Sequence, residues 1–380
     1  MSTHNTESLL NPETFADPAI CGPLLDRLAA ELDAPLRFME VCGTHTVSIF
    51  RSGLRSLLPE NITHLSGPGC PVCVTHDREI AACMELAAKP GVTVATFGDL
   101  LRVPGPGGMT LKKAKAAGAE VEVVYSPLDS LALARSRPER TVVFLGVGFE
   151  TTAPTVAATI QMAEKQDIKN FCVLPFHKLV PPALDALLSG EEKAAQSPVQ
   201  DKAYGIDAFL LPGHVSTILG LEPYTFMVDK YGKPGVVGGF EPADILQSLL
   251  LMIEMRKKGQ PAIINQYKRA VSDAGNPKAR EILFSVFEKT DALWRGLGVI
   301  PASGLAIRPE YEAYDAWKRF AFTLPDVPEI KGCKCGDVLR GRINPAQCPL
   351  FGKVCTPADP VGPCMVSTEG SCAAYFKYQG

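Results

Sequence analysis

Sulfur chemistry dominates this sequence. Six of its twelve cysteines fall between Cys333 and Cys372, at Cys333, Cys335, Cys348, Cys355, Cys364 and Cys372. Turn formers surround them, such as Asn344-Pro345, Thr356-Pro357 and Gly362-Pro363. A stretch with so little apolar periodicity needs a metal centre or disulfides to hold it. Six thiols exceed the four that a cubane iron–sulfur cluster takes, so the natural division is four ligands and a nearby dithiol. A Cys₄ zinc site would use the same ligands. Cys333-x-Cys335 cannot easily aim both sulfurs at one cluster corner, which leaves one of the two outside the ligand set.

Two smaller constellations lie upstream. Gly67-Pro-Gly-Cys-Pro-Val-Cys73 holds Cys70 and Cys73 at a spacing that clamps one metal or closes as a redox disulfide. The helix expected after them, capped by Asp77, would lower their thiol pKa through its dipole. Cys42-Gly-Thr-His45 sets a thiol and an imidazole at i and i+3, which face one side of a helical first turn. Such a pair serves as a nucleophile with its base or as two metal contacts. Cys21, Cys83 and Cys172 read as ordinary buried small residues.

The bulk properties exclude several classes. A net charge of −3 gives no general attraction to nucleic acid or an anionic membrane. The longest apolar run, Ile245 to Met255, is too short to span a bilayer. Met1 to Pro12 lacks the layout of a signal peptide. The expected location is therefore cytoplasmic, where stable disulfides are uncommon and cysteines favour metal or redox chemistry.

These residues must be positioned by an alternating pattern of short apolar runs and helical stretches, the signature of parallel sheets with helices on both faces. The expected fold class is α/β, with two doubly wound, Rossmann-like parallel-sheet domains and a small C-terminal cluster domain. An N-terminal arm would occupy 1–23. The first α/β domain would take 24–120, completed by part of 300–325, and the second 121–299. The cysteine-rich domain would take 326–380, and residues 262 to 320 read as mainly helical. Cys42, Cys70, Asp99, Glu150, His177, His214 and Glu241 each follow an expected strand. The carboxyl ends of strands form the ligand crevice of open α/β sheets, so these seven side chains should converge on one cleft. Gly146-Val-Gly148 lacks the third glycine of a dinucleotide fingerprint, and Pro104-Gly-Pro-Gly-Gly108 lacks the lysine of a P-loop, so neither marks a nucleotide site.

The motifs together resemble the hydrogenase formation (maturation) family HypD. The resemblance runs through Cys42-Gly-Thr-His45, Gly67-Pro-Gly-Cys-Pro-Val-Cys73, Phe97-Gly-Asp-Leu-Leu-Arg-Val-Pro104, Gly148-Phe-Glu-Thr-Thr-Ala-Pro154, Pro175-Phe-His-Lys178, Leu211-Pro-Gly-His214, Gly238-Gly-Phe-Glu-Pro242 and Cys364-Met-Val-Ser-Thr-Glu-Gly370. It implies a redox-active scaffold that works with a HypC-type chaperone to build the Fe(CN)₂CO unit of [NiFe]-hydrogenases. A HypE-type donor, with HypF upstream, would supply cyanide. Iron carrying cyanide and carbon monoxide would be the cargo. By the same resemblance Cys42 anchors that iron, Cys70 and Cys73 form a redox pair beside it, and His45 and Asp99 complete the cleft. Glu369 would lie where the tail meets it. A further likeness to ferredoxin–thioredoxin reductase clusters implies Cys333, Cys348, Cys355 and Cys372 as [4Fe–4S] ligands, with Cys335 and Cys364 as the adjacent dithiol. A stand-alone iron–sulfur thiol oxidoreductase is the alternative reading, and a zinc-stabilised binding protein a third.

Overall fold

The computed structural model describes residues 15–195, 205–328 and 330–378. Eleven strands are described: β1 Leu36–Glu40, β2 Ile62–Ser66, β3 Val92–Thr96, β4 Val121–Val123, β5 Thr141–Gly146, β6 Phe171–Pro175, β7 Ala208–Pro212, β8 Gly235–Gly238, β9 Ile263–Asn265, β10 Phe287–Trp294 and β11 Gly298–Ile307. The first sheet has the order β2-β1-β7-β8-β9 and the second β4-β3-β5-β6, all parallel. Their central strands β3, β5 and β7 are almost wholly buried, as expected of parallel strands covered on both faces. The fold class is therefore α/β with two parallel sheets, followed by the cysteine-rich tail.

In each sheet the first strand to form lies inside, and the order reverses beside it. The switch points fall between β1 and β7 in the first sheet and between β3 and β5 in the second. A ligand crevice opens at such points. They place Cys42 and His214 at one, and Asp99 and Glu150 at the other.

The division at 120/121 does not follow the sheets. β3, before that boundary, pairs with β4 and β5 beyond it, while β7 to β9 return to β1. The second sheet is thus an insertion within the first. Pairing between strands distant in sequence decides this, and local pattern does not carry it. Two element readings also change. Residues 262–320 are not mainly helical: after the helix Pro277–Val286 comes the antiparallel hairpin β10–β11. The fully buried Trp294 pins it, donating its indole N–H to Ser303 Oγ at 2.8 Å. The arm at 1–23 ends sooner than expected, because Asp17 and Pro18 start a helix at Pro18–Glu31. Asp17 accepts the Ala19 N–H at 2.8 Å, and proline suits a first helical turn. Residues 1–14 of the arm lie outside the described residues.

The tail is built from turns and short helices, Cys335–Leu339 and Ser371–Tyr378 among them. The Ser371–Tyr378 helix packs on the helix Gly43–Arg51 that begins at Cys42, with the Phe50 and Tyr375 rings 4.6 Å apart. No helix among the described residues is long and apolar enough to cross a membrane.

Candidate thiol centres

Cys42 sits where β1 turns into the helix Gly43–Arg51, as its N-cap residue. Its backbone N–H donates to Glu40 Oε2 at 3.0 Å, and Thr46 Oγ1 donates to Glu40 Oε1 at 2.5 Å. Glu40 is fully buried, so its carboxylate holds both ends of this turn. The Gly67–Cys70 loop closes over the other side. A Cβ at Gly69 would lie 2.2 Å from the Cys42 nitrogen, and Gly43 N–H donates to the Gly69 carbonyl at 2.9 Å. Only glycine permits this approach.

The surroundings disfavour a thiolate. Burial pushes the Cys42 thiol up to about 12, and the carboxylates of Glu369 and Glu40 add to it, while the amides of Thr44 and His45 pull the other way. A metal bound here must displace the proton. His45 does not serve as the base that the i, i+3 spacing suggests. Its Nε2 lies 2.9 Å from the Gly239 carbonyl, and its ring packs on Phe240 with centroids 4.6 Å apart. Burial pushes it down to about 4, so it is neutral at pH 7. His214, an exposed residue, also stacks on Phe240, with ring centroids 4.1 Å apart.

Cys70 and Cys73 are joined by a disulfide. Cys70 caps the short helix Pro71–Val74, accepting the Cys73 N–H at 3.2 Å, so the pair belongs to this turn and not to the helix at Asp77. The cap of that next helix is His76, not Asp77: its Nδ1 accepts the Arg78 N–H, and Glu79 returns a bond to the His76 amide. Asp77 instead pairs with the buried Arg295.

A strap from the tail spans both sheets. Ser367 Oγ donates to Asp99 Oδ2 at 2.9 Å, and Arg102 donates to the Val366 carbonyl at 3.0 Å. Two residues on, Glu369 Oε1 accepts from Thr44 Oγ1 at 2.8 Å. Burial raises the Glu369 carboxyl, opposed by that hydrogen bond. The structure thus brings Cys42, Asp99 and Glu369 around one strap. Sequence reading missed Glu40, Thr44 and Ser367 as its polar frame; the one available signal was a glutamate two residues before a motif cysteine.

All six tail cysteines line a single cavity, whose other walls come from Lys334, Val338, Leu350, Phe351, Gly362 and Met365. Cys335 Sγ and Cys364 Sγ are 3.1 Å apart. The hydrogen bond from Cys364, then the Arg295 guanidinium, hold the Cys335 thiol below its ordinary value against burial. Burial pushes Cys333 up to about 11 and Cys372 well up, and neighbouring thiols add to both. With Cys335 and Cys364 paired, Cys333, Cys348, Cys355 and Cys372 remain as four thiols on one apolar-walled cavity. That donor set fits a cubane, whose ligands spread over four irons. No group of three or more His, Cys, Asp or Glu among the described residues converges to hold a single ion. The turn Pro363–Met365, which carries Cys364, packs directly on Pro71–Val74, which carries the disulfide.

Glu150 is buried; its Oε1 accepts the Val180 N–H at 2.9 Å, and its Oε2 has no hydrogen-bond partner among the described residues. Burial pushes its carboxyl up to about 7. His177 is fully enclosed, with neither ring nitrogen bonded among the described residues, and burial lowers it to about 3. Glu241 caps the helix Pro242–Lys258. The seven residues all follow strands, yet they do not form one cluster: His177 and Glu241 have local packing and capping roles. Cys83 and Cys172 are buried, and burial raises both thiols.

Residues 20–379 match a family model named HypD and described as the hydrogenase formation hypA family. A hydrogenase maturation factor HypD from Rhodobacter capsulatus is 46% identical over 378 residues, covering 96% of this chain and 97% of its own length. Its namesake from Escherichia coli (strain K12) is 45% identical over 353 residues, covering 93% and 91%. One from Rhizobium leguminosarum bv. viciae is 46% identical over 342 residues, covering 90% and 88%.

Proposed function

The chain belongs to the HypD family of hydrogenase maturation factors, and from that premise we propose that it is a redox-active scaffold for iron. With a HypC-type chaperone it holds iron at Cys42 while cyanide from a HypE-type donor, itself fed by HypF, and carbon monoxide complete the Fe(CN)₂CO unit of [NiFe]-hydrogenases. The observation that carries this reading is the setting of Cys42. It is a lone thiol at a sheet's switch point, beside a disulfide and under a strap from the thiol-rich tail. Soft thiolate suits low-spin ferrous iron.

Each part of the chain has a separate task in this scheme. Cys42 gives up its proton as iron binds, and Glu40 keeps its backbone fixed. Cys333, Cys348, Cys355 and Cys372 would hold a [4Fe–4S] cluster, which when bound supplies one-electron chemistry. The Cys335/Cys364 pair and the Cys70/Cys73 pair exchange as thiol pairs do. One disulfide opens to two thiols as the other closes, so two electrons and two protons move and nothing else is consumed. Direct packing of Pro363–Met365 on Pro71–Val74 supports that exchange.

The test is Cys42→Ala in a cell that makes a [NiFe]-hydrogenase. Maturation is expected to be lost while the purified variant keeps the visible absorption of its tail. Full maturation by the variant would overturn the anchor role. The adjoining disulfide and dithiol favour one second reading, a stand-alone thiol oxidoreductase of the ferredoxin–thioredoxin reductase type. Catalytic reduction of a protein disulfide without any chaperone partner would establish it.

A further inference from the structure

The turn of the hairpin β10–β11 enters between the Cys70–Cys73 turn and the tail. On one side the Arg295 N–H donates to the Val74 carbonyl at 2.8 Å, and Trp294 forms an antiparallel bridge with Thr75. On the other, Gly296 meets Gly336 backbone to backbone. A Cβ at Gly296 would run into the Gly336 Cα, and one at Gly336 would lie 2.8 Å from the Gly296 Cα. The Gly296 φ of +72° also favours glycine. We propose that Arg295, held at this junction, is a positioning residue of the tail centre. It fixes a positive charge against the cysteine sulfurs and so raises the reduction potential of a cluster bound there, which rests on reading Cys333, Cys348, Cys355 and Cys372 as [4Fe–4S] ligands.

The surroundings of Arg295 carry this. Its side chain is only 7% exposed, and its Nη1 pairs with Asp77 Oδ1. That contact engages one of the five N–H donors of a guanidinium. Nη2 lies by the tail: a Cβ at Gly362 would be 4.0 Å from Nη2 and 3.2 Å from Cys333 Sγ. Cys335, Cys333 and Cys364 all lie within electrostatic reach of the guanidinium, Cys335 foremost. The cation that lines the cavity itself, Lys334, is exposed and pairs with Asp337 at 3.7 Å. Arg295 is thus a buried charge at the sulfurs, and Lys334 a solvated one.

Reduction adds negative charge to a cluster, so a fixed cation nearby favours the reduced state. Arginine suits the task because it keeps its charge at any working pH. Asp77 opposes it, but acts on Cys335 more weakly than Arg295 does. The pair therefore turns its positive end to the sulfurs. Its negative end sits in the first turn of the helix Asp77–Ala87, where the helix dipole favours an anion. A raised potential lets the centre take electrons from a milder donor, and the charge that raises it is anchored on the turn that carries the disulfide.

Redox titration of the tail's visible absorption, on the full chain purified without oxygen, tests this. Arg295→Met should lower the midpoint by at least about 59 mV, a tenfold change in a one-electron equilibrium. Arg295→Lys keeps the charge and loses the fork, so its midpoint should lie nearer that of the unaltered protein. Arg295→Met also strips Asp77 of its partner, so Asp77→Asn is the second variant. It removes the opposing charge and keeps a hydrogen-bonding group, and its midpoint should rise. A merely structural role for the ion pair would not move the two variants in opposite directions. An Arg295→Met midpoint equal to that of the unaltered protein overturns the proposal, as does an Asp77→Asn midpoint that fails to rise. Where Arg295→Met assembles no cluster, Asp77→Asn decides alone. Absence of iron and sulfide from the unaltered protein instead overturns the cluster reading, and this proposal with it.

Discussion

Cys42 and the tail cavity are both thiol sites, but they are held by opposite means. Cys42 is positioned by backbone: a strand end, a helix start, a glycine loop and a buried glutamate. The tail cysteines lie in turns and short helices around one shared cavity, with Cys335 and Cys364 in contact and packed against the main core. In the first region the backbone frame stands by itself, and on the proposed function it would present one ligand to iron. In the second, on the same proposal, the cluster ligands would be a large part of what there is to fold. A metal that the protein hands on suits the first arrangement, and a metal that it keeps suits the second.

The contrast can be broken by substitution. The largest effect is expected from Cys355→Ala. It should abolish the tail's visible absorption and open residues 330–378 to limited proteolysis, while Cys42→Ala leaves the protease pattern unchanged. If both variants were equally resistant, the tail would not depend on its thiols. Next is Gly69→Ala. The added methyl collides with the Cys42 backbone, and overpacking of this kind costs about 1–3 kcal/mol in denaturant unfolding. Thr44→Val removes the hydroxyl that donates to Glu369 and leaves that carboxylate short of a donor. A loss of about 1 kcal/mol is expected, with no change in tail absorption.

The smallest effect at neutral pH belongs to His177, and acid reveals it. Burial lowers its pKa from 6.5 to about 3, so the folded state excludes a proton that the unfolded chain takes up. Stability from this group is present above pH 6.5 and declines as pH falls towards 3, by up to about 1.4 kcal/mol per unit. His45, at about 4, adds to the same decline. His177→Phe should therefore flatten the stability curve between pH 6 and 4, read from urea midpoints at each pH. A curve as steep as that of the unaltered protein would show that His177 is charged inside the fold.

How far the sequence revealed these regions depends on the range of the interaction. Strand ends at Cys42, Cys70, Asp99 and His214 were legible, because alternating apolar runs and helical stretches are local patterns. The nesting of one sheet inside the other was not, since β1 takes β2 on one side but the distant β7 on the other, a pairing that no local window contains. His45 illustrates the same limit at a smaller scale. Spacing put it beside Cys42, but the Gly239 carbonyl, 194 residues away, turns its ring aside. Glu40 read as an ordinary strand residue until the fold enclosed it. The hairpin β10–β11 was lost because Phe287 to Trp294 directly follows a true helix and carries four exposed polar residues.

The nested sheets also set an order of events during synthesis. β1 and β2 leave the ribosome early, yet one side of β1 must wait for β7, and the β3–β6 sheet is made in between. At ordinary elongation rates that interval is roughly ten seconds or more. The inserted sheet can close from strands already made, while Cys42 stands at the end of a half-paired strand. Its thiol is then exposed to any passing oxidant or metal. The pocket that later protects it is among the last parts of the protein to exist.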